Sequence, residues 1–139
     1  MMSVQGREGS KIVVGYDGTR TAKEAVNVAL FHARHFHAEV HVVWSLEGGH
    51  GTTAEQVDEA RDGLQYVENL FREAQIPCQT HLLIRGLSAG EDLVRFAEEQ
   101  KCLEIIVGVR RRSQVGKLIF GSTARYVILN ASCPVVSVR

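Results

Sequence analysis

The sequence contains no apolar run that approaches the roughly 20 residues of a membrane-spanning helix. Its opening stretch, MMSVQGREGS, lacks the hydrophobic segment of a secretory signal, and we expect residues 1–10 to form a short disordered leader. The three cysteines make an odd count and no C-x-x-C pair, which favours reduced, buried thiols over a disulfide framework. These absences predict a cytoplasmic protein that does not act in a membrane.

A length of 139 residues suits one domain with its own core, which we place at residues 11–139. The formal net charge is zero, and this balance argues against general nucleic-acid binding, which depends on many phosphate contacts. The charge is unevenly distributed, however, because residues 105–139 contain six basic residues and no acidic one. Such a local cluster suits one small polyanion, although a solvated charged face remains an alternative for the three consecutive arginines.

Apolar runs and helical spacings alternate along the chain. Strands are predicted at residues 11–17, 40–45, 78–85, 103–109 and 134–139, and the stretches between them have apolar residues at helical spacing. Capping boxes are predicted at Thr21-x-x-Glu24, Thr53-x-x-Gln56 and Ser88-x-x-Glu91. The order β-α-β-α-β-α-β-α-β predicts an α/β fold, a doubly wound five-stranded parallel sheet of Rossmann-like type with helices on both faces.

A glycine-punctuated basic segment follows the fourth predicted strand. It begins at Gly108, continues through the cationic residues 110–117, and ends at Gly121, where serine and threonine precede a helix. Backbone N–H groups and the dipole at a helix N-terminus favour a bound anion. If strands one and four are neighbours, Asp17 faces the same crevice, since ligands of such sheets lie outside the carboxyl ends of the strands. A carboxylate for the ribose and a cradle for the phosphate together predict a nucleotide site.

Two familiar phosphate motifs are absent. Gly116-Lys117 is not part of a Walker A motif, because Arg111 and Leu118 stand where that motif has glycine and a hydroxyl residue. The turn Gly15-Tyr-Asp-Gly18 lacks the G-x-G-x-x-G dinucleotide pattern. Simpler roles remain open for the individual residues: Asp17 could cap the turn at Gly18, and Gly121-Ser122 could be an ordinary helix start.

The chain resembles the universal stress protein family. The resemblance rests on IVVGYDG in the first strand, the Arg85-Gly86 turn and the C-terminal VGVRRRSQVGKLIFGSTARYVILNASCPVVSV. The ATP-binding members of that family have the pattern G-x2-G-x9-G-[ST], which Gly108, Gly121 and Ser122 match. The resemblance implies a strand order of 3-2-1-4-5, ATP or AMP in the crevice, with or without Mg²⁺, and a homodimer paired through residues 134–139.

The resemblance also implies which residues contact the ligand. The adenosine contacts would be Gly15, Tyr16 and Asp17, with backbone near Ser45 for the adenine. The phosphate contacts would be Gly108, Arg110, Arg111, Arg112, Ser113, Gly121, Ser122 and Thr123. Arg111 departs from the family pattern, because it occupies the second glycine position. Arginine there can crowd a phosphate, or it can supply a charge-assisted contact in place of a backbone one.

No catalytic or metal-binding constellation is evident. The six histidines show no metal-ligand spacing, and surface or partly buried positions are expected for them. The serines lack a nucleophile elbow or a nearby base. We therefore expect an adenine-nucleotide-binding stress-response or regulatory protein with an unidentified protein partner, and hydrolysis that is slow or absent. The alternatives are a ligand-free dimerisation module of the same fold and a slow nucleotide hydrolase.

Overall fold

A computed structural model describes residues 9–109, 111, 112 and 116–139, with the side chains of residues 111, 112 and 118 excepted. The strands are β1 (Lys11–Gly15), β2 (Glu39–Leu46), β3 (Cys78–Ile84), β4 (Glu104–Gly108), β5 (Arg111–Arg112), β6 (Leu118–Ile119) and β7 (Val135–Val138). The helices are α1 (Arg20–Phe36), α2 (Ala54–Glu73), α3 (Ala89–Gln100) and α4 (Ser122–Asn130), and a short 3₁₀ turn spans Gly49–Gly51.

Five parallel strands form the main sheet, in the order β3-β2-β1-β4-β7. Counted among these strands alone, the order is 3-2-1-4-5, so the predicted doubly wound fold is confirmed. Val13 at the centre of β1 pairs with His41 on one side and with Ile105 on the other. Because β1 and β4 are neighbours, the residues that follow them meet at one edge of the sheet.

Each face of the sheet is covered by two helices. Ile12 and Val14 of β1 pack in one core beneath α1 and α2, and Val13 points into the opposite core beneath α3 and α4. All three side chains are fully buried, which explains why Ile12, Val13 and Val14 are consecutive apolar residues and do not alternate with polar ones. The structure therefore has three layers, helix, sheet and helix.

Helix starts match the predicted capping boxes at two of three places. Thr53 and Ser88 each accept a bond from the backbone three residues later, and the side chains of Gln56 and Glu91 return it. The predicted box at Thr21 is wrong, because α1 begins two residues earlier. Thr19 is its N-cap and accepts a hydrogen bond from the Ala22 N–H, whereas Thr21 is buried in the first turn.

The segment after β4 also differs from the prediction. The expected loop contains the strands β5 and β6, which pair antiparallel as a small hairpin. Gly121, without a side-chain cap, is the N-cap of α4, and Ser122 is its first helical residue. Ile128 of this helix is 42% exposed.

The histidines are only partly as predicted. His41 is 2% exposed, so it is a core residue, and its ring lies 5.1 Å from the ring of His81. His32 is half-buried, and its Nδ1 lies 2.5 Å from a carboxylate oxygen of Glu104.

Among the residues that the structure describes, none of the helices has the length and the hydrophobicity of a membrane-spanning segment.

Candidate functional site

A crevice opens at the carboxyl ends of β1, β2 and β4, with the N-terminus of α4 on its rim. It encloses about 630 Å³ when the space open to solvent is included. Every residue of the predicted site whose backbone and side chain are both described lines it: Gly15, Tyr16, Asp17, Ser45, Gly108, Gly121, Ser122 and Thr123. Arg110 and Ser113 lie outside the described residues, as do the side chains of Arg111 and Arg112.

Asp17 is held in place by Thr19. One carboxylate oxygen of Asp17 accepts hydrogen bonds from the Thr19 hydroxyl at 2.6 Å and from the Thr19 N–H at 3.1 Å. Asp17 therefore caps the turn at Gly18, as the sequence left open. This role coexists with a position at the crevice wall, where the exposed carboxylate can accept bonds from ligand hydroxyl or amino groups.

Tyr16 forms part of the wall of the crevice while remaining 4% exposed. Its ring packs edge-on against Trp44, with 5.6 Å between ring centroids, and its N–H donates to the Val43 carbonyl at 2.9 Å. Burial, helped by the charges of Tyr66 and Asp17, raises the pKa of Tyr16 above its ordinary value. The phenol therefore stays neutral at physiological pH, and its main contribution is a rigid wall.

Two glycines at the crevice lie in close packing contacts, with backbone at Gly108 and with a leucine side chain at Gly15. A Cβ on Gly108 would lie 2.7 Å from the carbonyl carbon and oxygen of Thr21. A Cβ on Gly15 would lie 2.7 Å from Cδ1 of Leu93. These glycines let α1 and α3 approach the strand ends, so they shape the cavity whether or not a ligand touches them.

Ser45 belongs to a hydrogen-bonded chain that passes through the buried Asp92 and that the sequence did not reveal. Its hydroxyl donates to Oδ2 of Asp92 at 2.8 Å, and Asp92 is fully buried. Arg85 donates to Oδ1 of Asp92 through Nε at 2.6 Å, and to Glu99 through Nη1 at 3.0 Å. The only sequence signal was an acidic residue in the first turn of a capped helix, which normally indicates a solvated dipole contact.

The first turn of α4 supplies hydrogen-bond donors. Its first intrahelical bond runs from the Arg125 N–H to the Gly121 carbonyl, at 3.0 Å. The N–H groups of Ser122, Thr123 and Ala124 precede that bond, so helix geometry leaves them to other partners. All three residues line the crevice, and donors of this kind favour an anion.

Several lining residues were not predicted, and most carry no polar signature. They are Thr19, Thr21, Ala22, Val43, Ala89, Leu93, Val107 and Ala124. Among the described residues there is no group of three or more histidine, cysteine or acidic side chains that could hold a metal. The described lining combines apolar walls, one carboxylate and a helix N-terminus, and the chemistry of these features suits an adenine nucleotide.

Comparison with known proteins agrees with the fold and with the sequence pattern. A structure of a universal stress protein from Archaeoglobus fulgidus is 39% identical, covers 94% of this chain and 98% of its own, and superposes with a TM-score of 0.87. Another from the same organism, in complex with dAMP, is 34% identical over 95% of this chain and 99% of its own, with a TM-score of 0.82.

Sequence comparison gives the same relationship. A universal stress protein of Methanocaldococcus jannaschii is 31% identical over 140 residues, covering 93% of this chain and 81% of that protein. The profile of the universal stress protein family matches residues 9–139, which include every element of the main sheet and all the crevice residues described above. The chain therefore belongs to the universal stress protein family.

Proposed function

We propose that residues 11–139 form one domain that binds an adenine nucleotide, AMP or ATP, and acts as a cytoplasmic regulatory or stress-response protein read by a protein partner. One observation carries the proposal. Eight predicted contact residues, from four separate stretches of the chain, line a single crevice at the strand ends. The dAMP complex of the 34% identical relative supports the same class of ligand.

The chemistry of the walls suggests how the ligand is oriented. Val43, Ala89 and Leu93 offer apolar surface for a base on the side of β2 and α3. The Asp17 carboxylate suits ribose hydroxyls, and the N–H groups at the start of α4 suit phosphate oxygens. Asp17 is the one carboxylate among the described lining residues, so an accompanying Mg²⁺ would be held mainly by phosphate oxygens and water.

Calorimetric titration with AMP and ATP tests the proposal. We expect Asp17→Asn to weaken binding about ten- to hundred-fold, because a hydrogen bond to a charged group is worth about 1.5–3 kcal/mol. Asp58→Asn is the matched control, since it removes the same charge from an exposed position on α2. An absence of binding heat at millimolar nucleotide would refute the proposal.

The ligand-free alternative depends on Arg111, which replaces a motif glycine. If this arginine closes the site, Arg111→Gly should gain nucleotide affinity over the unchanged protein. If it contacts phosphate, the same substitution should weaken binding and reduce its sensitivity to salt, because a charge-assisted contact is lost. Tight binding by the unchanged protein would exclude the ligand-free alternative.

We place the homodimer contact at residues 134–139. Pro134 accepts a bond from Ile105 of β4, and Val138 accepts one from Val109, the residue after β4. Alternation along the strand therefore turns the backbone of Val135 and Ser137 to the outer edge. α4 packs against β7 at this edge of the sheet, and the side chain of Leu129 on α4 is 71% exposed. Ser137→Pro removes an outward N–H and should give a monomer by light scattering, whereas Ser137→Ala should remain a dimer. A monomeric unchanged protein would refute this assignment.

The remaining alternative, slow hydrolysis, has one candidate side chain among the described lining residues. Asp17 could orient a water molecule near a phosphate, and phosphate release from ATP by the purified protein would measure the activity. Release that survives both Asp17→Asn and Gly121→Val would indicate a contaminating enzyme. We expect any hydrolysis to be slow, so nucleotide occupancy rather than turnover would carry the regulatory signal.

A further inference from the structure

Ser45 lies near the carboxyl end of β2 and lines the crevice on the side where the base is proposed to bind. Its hydroxyl hydrogen is already used, because the hydroxyl donates to Oδ2 of Asp92 at 2.8 Å. A serine hydroxyl has one hydrogen to donate and two lone pairs with which to accept. Towards the crevice, Ser45 can therefore act only as an acceptor while this bond persists.

Asp92 is fixed as the acceptor of that bond. It is fully buried, and its other oxygen, Oδ1, binds two nitrogens of Arg85, Nε at 2.6 Å and Nη2 at 2.5 Å. A carboxylate held by a guanidinium in this forked geometry has no hydrogen to offer to Ser45. Glu99 binds Nη1 of the same arginine at 3.0 Å, which holds the guanidinium in place.

The surroundings of Ser45 make the direction of this bond matter. Val43, Ala89 and Leu93 share the crevice wall with it and offer only apolar side chains. A ligand carbonyl placed against an oxygen that cannot donate would lose its own solvation without a replacement. A ligand amino group at the same place would gain a hydrogen bond.

We propose that Ser45 selects purines that carry an amino group at C6 over purines that carry a carbonyl there. Arg85 and Asp92 are positioning residues: they set the direction of the Ser45 hydroxyl without touching the base. This inference rests on the proposed nucleotide site and adds to it the feature of the base that is recognised.

Binding of AMP and of inosine 5′-monophosphate (IMP) to the full chain, measured by calorimetry, tests the proposal. The two differ at C6 and in the N1 hydrogen that follows from it. We expect the unchanged protein to bind AMP at least about ten-fold more tightly, as the loss of one buried hydrogen-bond partner implies. Ser45→Ala should bring the AMP-to-IMP ratio to within about three-fold of unity, and Ser45→Thr, which keeps the hydroxyl, should retain the preference.

Asp92→Asn gives a readout that a merely structural role would not produce. The asparagine amide can donate to Ser45 and so release the serine hydrogen towards the crevice. The ratio of AMP affinity to IMP affinity should then fall. Asp17→Asn is the control, because it should weaken both nucleotides alike. If Asp92→Asn does not fold, the comparison of Ser45→Ala with Ser45→Thr tests the proposal alone.

The outcomes separate this inference from the proposed function. If neither nucleotide binds the unchanged protein, both are overturned. If AMP binds but IMP binds equally well, or if Ser45→Ala keeps the full preference, the selection by Ser45 is overturned and the nucleotide site stands. A preference lost in Ser45→Ala, kept in Ser45→Thr and shifted towards IMP in Asp92→Asn supports it.

Discussion

Gly108 at the end of β4 packs directly against the backbone of Thr21 in the first turn of α1. A Cβ on Gly108 would lie 2.7 Å from the carbonyl carbon and oxygen of Thr21 and 2.9 Å from its Cβ. Gly108 is also the first glycine of the pattern G-x2-G-x9-G-[ST] that the ATP-binding members of the family share. The structure therefore gives this glycine a packing role that applies with or without a bound nucleotide.

Gly108→Ala should destabilise the fold. The added methyl group meets backbone atoms rather than the flexible end of a side chain, so α1 or β4 must move. Overpacking of this kind costs about 1–3 kcal/mol, measurable as a lower midpoint in urea unfolding. Unchanged stability would show that the two elements separate easily, and the glycine would then need a ligand-based explanation.

Gly121→Val should instead spare the fold and weaken nucleotide binding. Gly121 has φ −68 and ψ 164, an extended conformation open to any residue, so valine brings no backbone strain. We expect stability within about 1 kcal/mol of the unchanged protein. A β-branched side chain at the crevice should block phosphate, and Gly121→Ala should have a smaller effect. Equal affinity in all three proteins would place the phosphate elsewhere.

The alternation of strands and helices followed from the periodicity of the sequence, whereas the strand order, and with it the position of the crevice, was an implication of the resemblance to the family. Asp17 and Ser122 come together simply because β1 and β4 are neighbours and parallel. Pairings between distant side chains follow no such rule. The bond from Ser45 to Asp92 spans 47 positions, and that from His32 to Glu104 spans 72. Both depend on how α3 and α1 pack on the sheet.

A local sequence signal failed at the start of α1. Thr21 has glutamate three positions later, as a capping box requires. The helix nevertheless starts after Thr19, whose hydroxyl donates to Asp17 at 2.6 Å. Thr21 lies inside the helix, where it packs against Gly108. Tertiary packing at Thr21 thus accompanies a helix start that the local capping signal did not predict.

Phe71 and Phe31 provide a matched test of the core. Phe71 of α2 is fully buried beneath the sheet, whereas Phe31 of α1 is 63% exposed. Phe71→Ala should lower the free energy of unfolding by about 3–5 kcal/mol, because it removes buried surface and leaves a cavity. Phe31→Ala should change it by no more than about 0.5 kcal/mol. Similar losses at both positions would contradict the described packing of α1 and α2.

The three thiols should react slowly in the folded protein. Burial raises the pKa of Cys78 to about 12 and that of Cys102 to about 11, and it also raises the pKa of Cys133. Since the thiolate is the reactive form, the first two should hold about a hundred- to a thousand-fold less thiolate at pH 8 than a free cysteine. Ellman's reagent should label all three rapidly in guanidinium chloride. Rapid native labelling of Cys78, located by mass spectrometry, would refute this description.

Stability should fall as pH drops through about 6.5, the ordinary pKa of histidine, because of a hydrogen-bonded chain between β2 and β3. His41 binds Glu39 through Nε2 at 2.6 Å, and its Nδ1 lies 2.8 Å from Nε2 of His81. With both rings neutral, His41 donates to the carboxylate and His81 donates to His41, so every hydrogen in the chain has an acceptor. Burial lowers the pKa of His81 in the folded state, and the nearby His41 lowers it further.

The direction of the pH effect follows from this lowered pKa. As pH falls through the ordinary histidine value of about 6.5, the unfolded chain takes up a proton at residue 81 before the folded chain does, so unfolding becomes easier. The stabilisation from neutral His81 is fully present above that value and is lost as pH falls towards the lowered one. His81→Gln, whose amide can still donate to His41, should show a shallower fall in urea unfolding. Between pH 7.5 and 8.5, above the window, the two proteins should differ by a constant amount. Equal slopes below pH 7 would show that folding leaves the protonation of His81 unchanged.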